Sequence, residues 1–146
     1  MTITYNTVKQ IYERNYGSER LYKRPYCSNL NYTEGIMDFQ QTLNAYWIVE
    51  NVISYMPEIL RVYKENEFTF FVVEIALNQE QQGYMEVYTE GYIDEEYKEH
   101  ILIQNQKIPY IDLPTKIDEE ITTYRFFLEL SSLEPVKFTL LLSSEH

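Results

Sequence analysis

The run Ile121-Thr122-Thr123-Tyr124-Arg125-Phe126-Phe127-Leu128-Glu129-Leu130 decides the fold class. Thr122, Tyr124, Phe126, Leu128 and Leu130 fall on one side of an extended chain, and Thr123, Arg125 and Glu129 on the other. A period of two predicts a strand with one buried face. Ser131–Pro135 supplies a turn, and Val136, Phe138, Leu140 and Leu142 begin the return strand. Working back, the period is already two from Glu67. Phe71, Val73, Ile75 and Leu77 share one face, while Phe68, Phe70 and Val72 keep the other apolar. Apolar residues on both faces fit a central strand, or one covered by a helix. Tyr84–Glu90 and His100–Asn105 are two further strands, with the segment between them unassigned.

Before Glu67 the spacing is helical. Ile3, Val8, Ile11 and Tyr12 predict a helix over 2–16 that Gly17 caps. Residues 18–31, with Pro25 and Asn29, read as a connecting arm. Thr33 caps a helix striped by Ile36, Phe39 and Leu43. Ala45, Ile48, Val49, Val52 and Met56 stripe the next one. Pro57 is expected to end it, with Pro57–Glu65 starting afresh at an angle. Helices followed by sequential strands imply an α+β fold, its N-terminal helices packed on one face of a mostly antiparallel sheet. The expected core holds Phe39, Leu43, Trp47, Val52, Phe71, Val73, Phe126, Leu128, Phe138 and Leu140.

At 146 residues and 45% hydrophobic content, with four Gly and five Pro, the chain fits one globular domain over 1–146. A lone cysteine, Cys27, excludes an intramolecular disulfide framework and suits a reducing cytosol. No run of about 18 apolar residues exists, and no signal-peptide pattern opens the chain, so a cytoplasmic location in a bacterial host is expected. The formal charge is −11. Residues 1–31 form a basic, tyrosine-rich helix and arm. They set Lys9, Arg14, Arg20, Lys23 and Arg24 against Glu13 and Glu19. Such a split implies an arm packed on its own acidic body, or two surfaces with different partners. The acidic body repels phosphate backbones, which argues against direct nucleic-acid binding.

Fifteen tyrosines supply amphipathic bulk in most positions. Tyr84, Tyr88, Tyr92 and Tyr97 stand apart, because they sit in or directly beside the densest acidic stretch, 86–99. Tyrosine gives large contact area at low entropy cost and is enriched at protein interfaces. Tyr84, Glu86, Tyr88, Glu90, Tyr92, Asp94, Glu95 and Glu96 are therefore the candidate binding residues. Tyrosines would anchor, and carboxylates would steer toward a basic partner.

The search for catalytic chemistry yields little. The four glycines are scattered, so no phosphate-cradling loop is present. Cys27 lies near Lys23 and Arg24, which would favour a thiolate, but a semi-buried cysteine is the simpler account. Glu96 and His100 at i, i+4 would give a metal two ligands and no third. The expectation is no metal and no cofactor.

Four segments occur in a telling order: Tyr32-Thr33-Glu34-Gly35, Ala45-Tyr46-Trp47-Ile48, Ile108-Pro109-Tyr110-Ile111-Asp112-Leu113-Pro114 and Leu140-Leu141-Leu142-Ser143-Ser144-Glu145-His146. Together they resemble a bacterial family, domain of unknown function family 6876, met in chromosomes, plasmids and phages. Its corresponding strings are Tyr-Thr-Asp-Gly, Ala-Tyr-Trp-Leu, Tyr-Thr-Asp-Phe-Pro-Leu and Leu-Leu-Pro-Ser-Glu-Tyr. The resemblance covers about residues 32–146, departs at Glu34, Ile111 and Ser143, and fits 1–31 least. It implies no activity. Its polar matches, Glu34, Asp112 and Glu145, would mark a site. The structural account is stronger: Thr33 and Glu34 open a helix, Asp112 sits in a proline-flanked turn, and Trp47 anchors the core.

The functional expectation is a small acidic, non-enzymatic binding protein that docks onto a protein partner with a basic surface. Phage-type inhibitors of nucleic-acid-binding defence complexes, including anti-CRISPR proteins, work this way when their carboxylates stand in for phosphates. The alternatives are an accessory or oligomeric structural protein, a homodimer among them, and a small hydrolase using Glu34, Asp112, Glu145 or His100.

Overall fold

Alternation along the C-terminal half sets the architecture. A computed structural model of the chain describes residues 3–17, 20–89, 91–94, 97–99 and 102–146, with the side chains of 91–94, 97–99 and 102 outside that description. Its helices are α1 (Tyr5–Arg14), α2 (Glu34–Leu43) and α3 (Trp47–Asn66). Its strands are β1 (Leu21–Tyr22), β2 (Leu30–Thr33), β3 (Phe70–Asn78), β4 (Gly83–Thr89), β5 (Gly91–Asp94), β6 (Tyr97–Glu99), β7 (Leu102–Ile108), β8 (Ile121–Leu133) and β9 (Val136–Leu142). Among the described residues, seven strands form one sheet in the order β1-β2-β9-β8-β3-β4-β7. Every neighbouring pair is antiparallel except β2 and β9. The fold is α+β.

Strand β3 is an interior strand between β8 and β4, and its two faces differ in kind. Phe71, Val73, Ile75 and Leu77 join Met85, Val87, Tyr124, Phe126, Leu128, Phe138, Leu140 and Leu142 in one hydrophobic core. Val8 and Ile11 of α1, Ile36, Phe39 and Leu43 of α2, and Ile48, Val52 and Ile59 of α3 belong to that same core. Phe39 meets the Phe126 ring edge-on at 5.2 Å, and Tyr63 meets Phe138 at 5.8 Å. Edge-to-face pairs like these add to the stabilisation that burial alone provides. Val72, Ala76 and Leu141 are also buried but lie outside this core, on the sheet's second face.

Several sequence expectations change. Gly17 does not cap α1: the helix ends at Arg14, with an extended Asn15 as its cap. Pro57 does not break α3, which runs unbroken from Trp47 to Asn66. Val52, Tyr55, Met56, Ile59 and Val62 keep one buried stripe across the proline, and that burial outweighs the lost hydrogen bond. Trp47 is half-buried, packing against the rim of the core, because it occupies the first position of α3 rather than its middle. The arm contains two short strands. β2 is held by parallel pairing to β9, Leu30 to Phe138 and Tyr32 to Leu140. The unassigned stretch after β4 holds β5 and β6, paired with each other. The pairings Gly91 with Glu99 and Tyr92 with Lys98 keep the strand offset of Tyr88 with Leu102. Thr33 does cap α2, its hydroxyl oxygen accepting from the Ile36 amide at 3.3 Å. No described helix is long and apolar enough to cross a membrane.

Candidate functional site

Strand β4 alternates under two constraints. Met85, Val87 and Thr89 are buried, while Tyr84, Glu86 and Tyr88 stand half-buried on the second face. The strand period thus brings three of the sequence-predicted binding residues into one row. Ladder pairing completes the surroundings. Val72 lies across from Tyr88, Glu74 from Glu86, and Ala76 from Tyr84, while Arg125 flanks Glu74 from β8.

Glu74 is the hub of this face. Its side chain is 11% exposed, and a carboxylate so sheltered needs partners. Arg125 donates from Nε to Glu74 Oε1 at 2.9 Å, while 60% of the arginine side chain stays open to solvent. The Tyr84 hydroxyl donates to Oε2 at 3.3 Å and the Tyr88 hydroxyl to Oε1 at 3.5 Å. Burial, followed by the charges of Glu74 and Glu86, pushes the Tyr84 phenol up. The hydrogen bond to Glu74 holds the Arg125 pKa above its usual value. Glu86 and Glu74 are direct cross-strand neighbours of like charge, an arrangement that costs stability. Arg125 offsets it on the Glu74 side. On the other side the Asn105 amide donates to Glu86, a neutral partner that leaves its charge in place. The face therefore brings together two carboxylates, two tyrosines and two cations, Arg125 and the exposed Lys107 across from Tyr84.

Glu74 and Arg125 were not singled out from the sequence. The available signal was that Glu74 is the lone charge inside the apolar run Phe70–Leu77. Of the other predicted binding residues, Tyr92 and Asp94 lie in β5, with their side chains outside the description, and Glu90, Glu95 and Glu96 lie outside the described residues. His100, the second half of the weighed metal pair, also lies outside them. Among the described residues no group of three or more His, Cys, Asp and Glu side chains is placed to hold a metal.

The basic arm packs on its own acidic body. Arg14 pairs with Asp38 at 2.6 Å, Arg24 with Glu50 at 2.9 Å, and the exposed Arg20 with Glu34 at 3.9 Å. Arg24 is the most enclosed of the three, also donating to the Tyr32 hydroxyl at 2.6 Å and to Gln40 Oε1 at 3.0 Å.

The three motif carboxylates do not form one site. Glu145 is a clasp: its Oε1 accepts from the Thr33 hydroxyl at 2.6 Å and the Leu142 amide at 3.0 Å, and its Oε2 accepts from the Gly35 amide at 3.3 Å. A Cβ on Gly35 would overlap that carboxylate, so the Thr-Glu-Gly and Ser-Ser-Glu strings are two halves of one contact. Glu34 faces Arg20. Asp112 is exposed and lines a groove of about 1240 Å³, between the start of α1, Gln81 and residues 110–119. Its neighbours Ile111 and Leu113 are buried, and Gln81 Nε2 donates to both of their carbonyls, at 2.6 and 2.9 Å. The groove wall is thus a locked loop, with Asp112, Lys9 and Lys116 among its charges.

The chain belongs to the family of unknown function DUF6876, whose model matches residues 6–146. The match takes in α1 and the arm as well as the motif-bearing body. No curated protein and no solved structure matches the chain.

Proposed function

We propose that this protein is a non-enzymatic binding module, docking through the second face of its sheet onto a partner protein with a basic surface. The observation that supports it is the row Tyr84, Glu86, Tyr88, set beside the Glu74–Arg125 pair on the face opposite the helix-packed core. Tyrosines here give contact area with little entropy to lose, since Tyr84 and Tyr88 already hydrogen-bond Glu74. The pairing of the arm's arginines with Asp38, Glu34 and Glu50 also favours it, because the arm then presents less positive charge of its own. In its specific form the reading is inhibition of a nucleic-acid-binding complex, carboxylates occupying positions that phosphates otherwise take.

The test is capture from bacterial lysate at two salt concentrations, with wild-type bait, a Tyr84→Ala/Tyr88→Ala bait and a Glu65→Gln control on the exposed side of α3. The reading expects a partner retained by wild type and control, lost by the double variant, and held more weakly at high salt. A partner held equally by all three baits contradicts it.

A further inference from the structure

We propose that the β7 edge of the sheet is a self-association surface, where a second copy of this chain pairs antiparallel, strand against strand, about a two-fold axis at Gln106. The inference is independent of the docking reading above. Among the described residues β7 ends the seven-stranded sheet, and no strand lies beyond it. The opposite edge, β1, is only Leu21–Tyr22, whereas β7 runs from Leu102 to Ile108. A long edge strand presents backbone donors and acceptors that another strand can take up.

The ladder fixes which groups point outward. The Leu130 amide donates to the Thr69 carbonyl just before β3, and the Asn78 amide at its end donates to Gln82. Antiparallel pairs alternate between exchanging bonds and not. Odd-numbered residues of β3 therefore bond toward β8, and even-numbered ones toward β4. On β4, Tyr84 and Glu86 then bond toward β3, while Met85 and Val87 bond toward β7, to Gln106 and Gln104. Asn105 and Lys107 are left aiming their N–H and C=O groups out of the sheet, and both residues are exposed.

The shape of this edge selects a second copy. The register with β4 shifts between Val87 and Tyr88, which leaves Ile103 as an extra residue on β7. At the other end Pro109 has no N–H to give. The regular segment is thus 104–108, with Gln106 at its midpoint. An antiparallel copy centred there sets Asn105 opposite Lys107 of the second copy, so each outward N–H meets an outward C=O. Charge permits the approach. Residues 101–111 hold no Asp or Glu, in a chain of formal charge −11. The Glu86 carboxylates of the two copies stay at least three strand spacings apart, about 14 Å, beyond the Debye length of about 8 Å. The axis stands perpendicular to the sheet, so both Tyr84–Glu86–Tyr88 rows lie on the same face of one continuous sheet.

The full chain is followed by sedimentation equilibrium and by amide hydrogen exchange, from about 10 μM to about 1 mM. The expected result is an average mass that climbs toward two chains. The Asn105 and Lys107 amides slow in step with it, while those of Gln104 and Gln106 stay equally protected throughout. Lys107→Pro removes an outward N–H and leaves the β4 ladder intact. Asn105→Lys sets a cation opposite Lys107 of the second copy. Each is expected to weaken pairing by about tenfold or more. Urea unfolding checks that both variants fold; if one does not, exchange in the wild type decides alone. The mass of a single chain at about 1 mM overturns the inference. So does a dimer that both folded variants leave intact, or one in which Asn105 and Lys107 exchange as fast as in dilute solution.

Discussion

Arg125 on β8 and Glu74 on β3 are cross-strand neighbours joined at 2.9 Å, and they sit on the opposite face of the sheet from Phe126 and Val73, the next pair along the antiparallel ladder. That one-residue alternation separates the two roles of the sheet. One parity packs a core with the helices, and the other assembles charged and aromatic groups around a sheltered carboxylate. Breaking the pair from one side leaves Glu74 without its cationic partner. Arg125→Met is therefore expected to destabilise the fold more than Glu74→Gln/Arg125→Met together, measured by urea unfolding. Additive losses would show the two groups to be energetically independent.

The core ranking departs from what the aromatic content alone suggests. Phe126 is wholly buried, so Phe126→Ala should cost about 3–5 kcal/mol. Trp47 is only half-buried at the start of α3, and Trp47→Ala should cost roughly half as much. Equal losses in denaturant melts would place the indole deeper than its surroundings show.

The clasp predicts coupling between residues far apart in sequence. Glu145→Gln should cost about 1–3 kcal/mol, since the carboxylate gathers donors from Thr33, Gly35 and Leu142. Gly35→Ala should be unfavourable in the wild type and much less so beside Glu145→Ala, because the overlap disappears with the carboxylate. A double-mutant cycle with no interaction energy would rule the clasp out.

Stability should fall at both ends of the pH range, for different reasons. The hydrogen bond from Arg14, helped by Asn15 and Thr42, holds the Asp38 pKa below its usual 3.8. A depressed folded value gives stability that is present above 3.8 and lost as pH falls through the lower folded value, so Asp38→Asn should flatten the acid limb. Burial pushes the Tyr12 and Tyr124 phenols above their usual 10.0. Their contribution is complete below pH 10.0 and fades as pH rises toward the folded values. Absorbance at alkaline pH should show these two of the fifteen tyrosines ionising only as the chain unfolds. Uniform ionisation of all fifteen before unfolding would contradict this.

Local periodicity made the larger elements legible. The alternation in Phe71–Leu77 and in Ile121–Leu130 gave β3 and β8 with their faces correctly divided, and Thr33 announced the start of α2. What escaped depends on distant partners. Leu30 and Tyr32 are strand residues because β9 lies alongside them, more than a hundred residues later in the chain. Pro57 stays inside a helix because the buried stripe on either side of it is continuous. The row Tyr84, Glu86, Tyr88 was visible as a pattern, but Glu74 and Arg125 joined it only through ladder register, which no local pattern encodes.

The most direct test of the docking face is the kinetics of the captured partner on immobilised wild type, Tyr88→Ala and Glu86→Gln, at low and physiological salt. Surface carboxylates act on encounter and are screened once the Debye length falls to about 8 Å, whereas a buried aromatic anchor acts on residence time. The predicted result is a faster off-rate for Tyr88→Ala, with a slower, less salt-sensitive on-rate for Glu86→Gln. On- and off-rates that match wild type in both variants, at both salt concentrations, would contradict a binding role for this face.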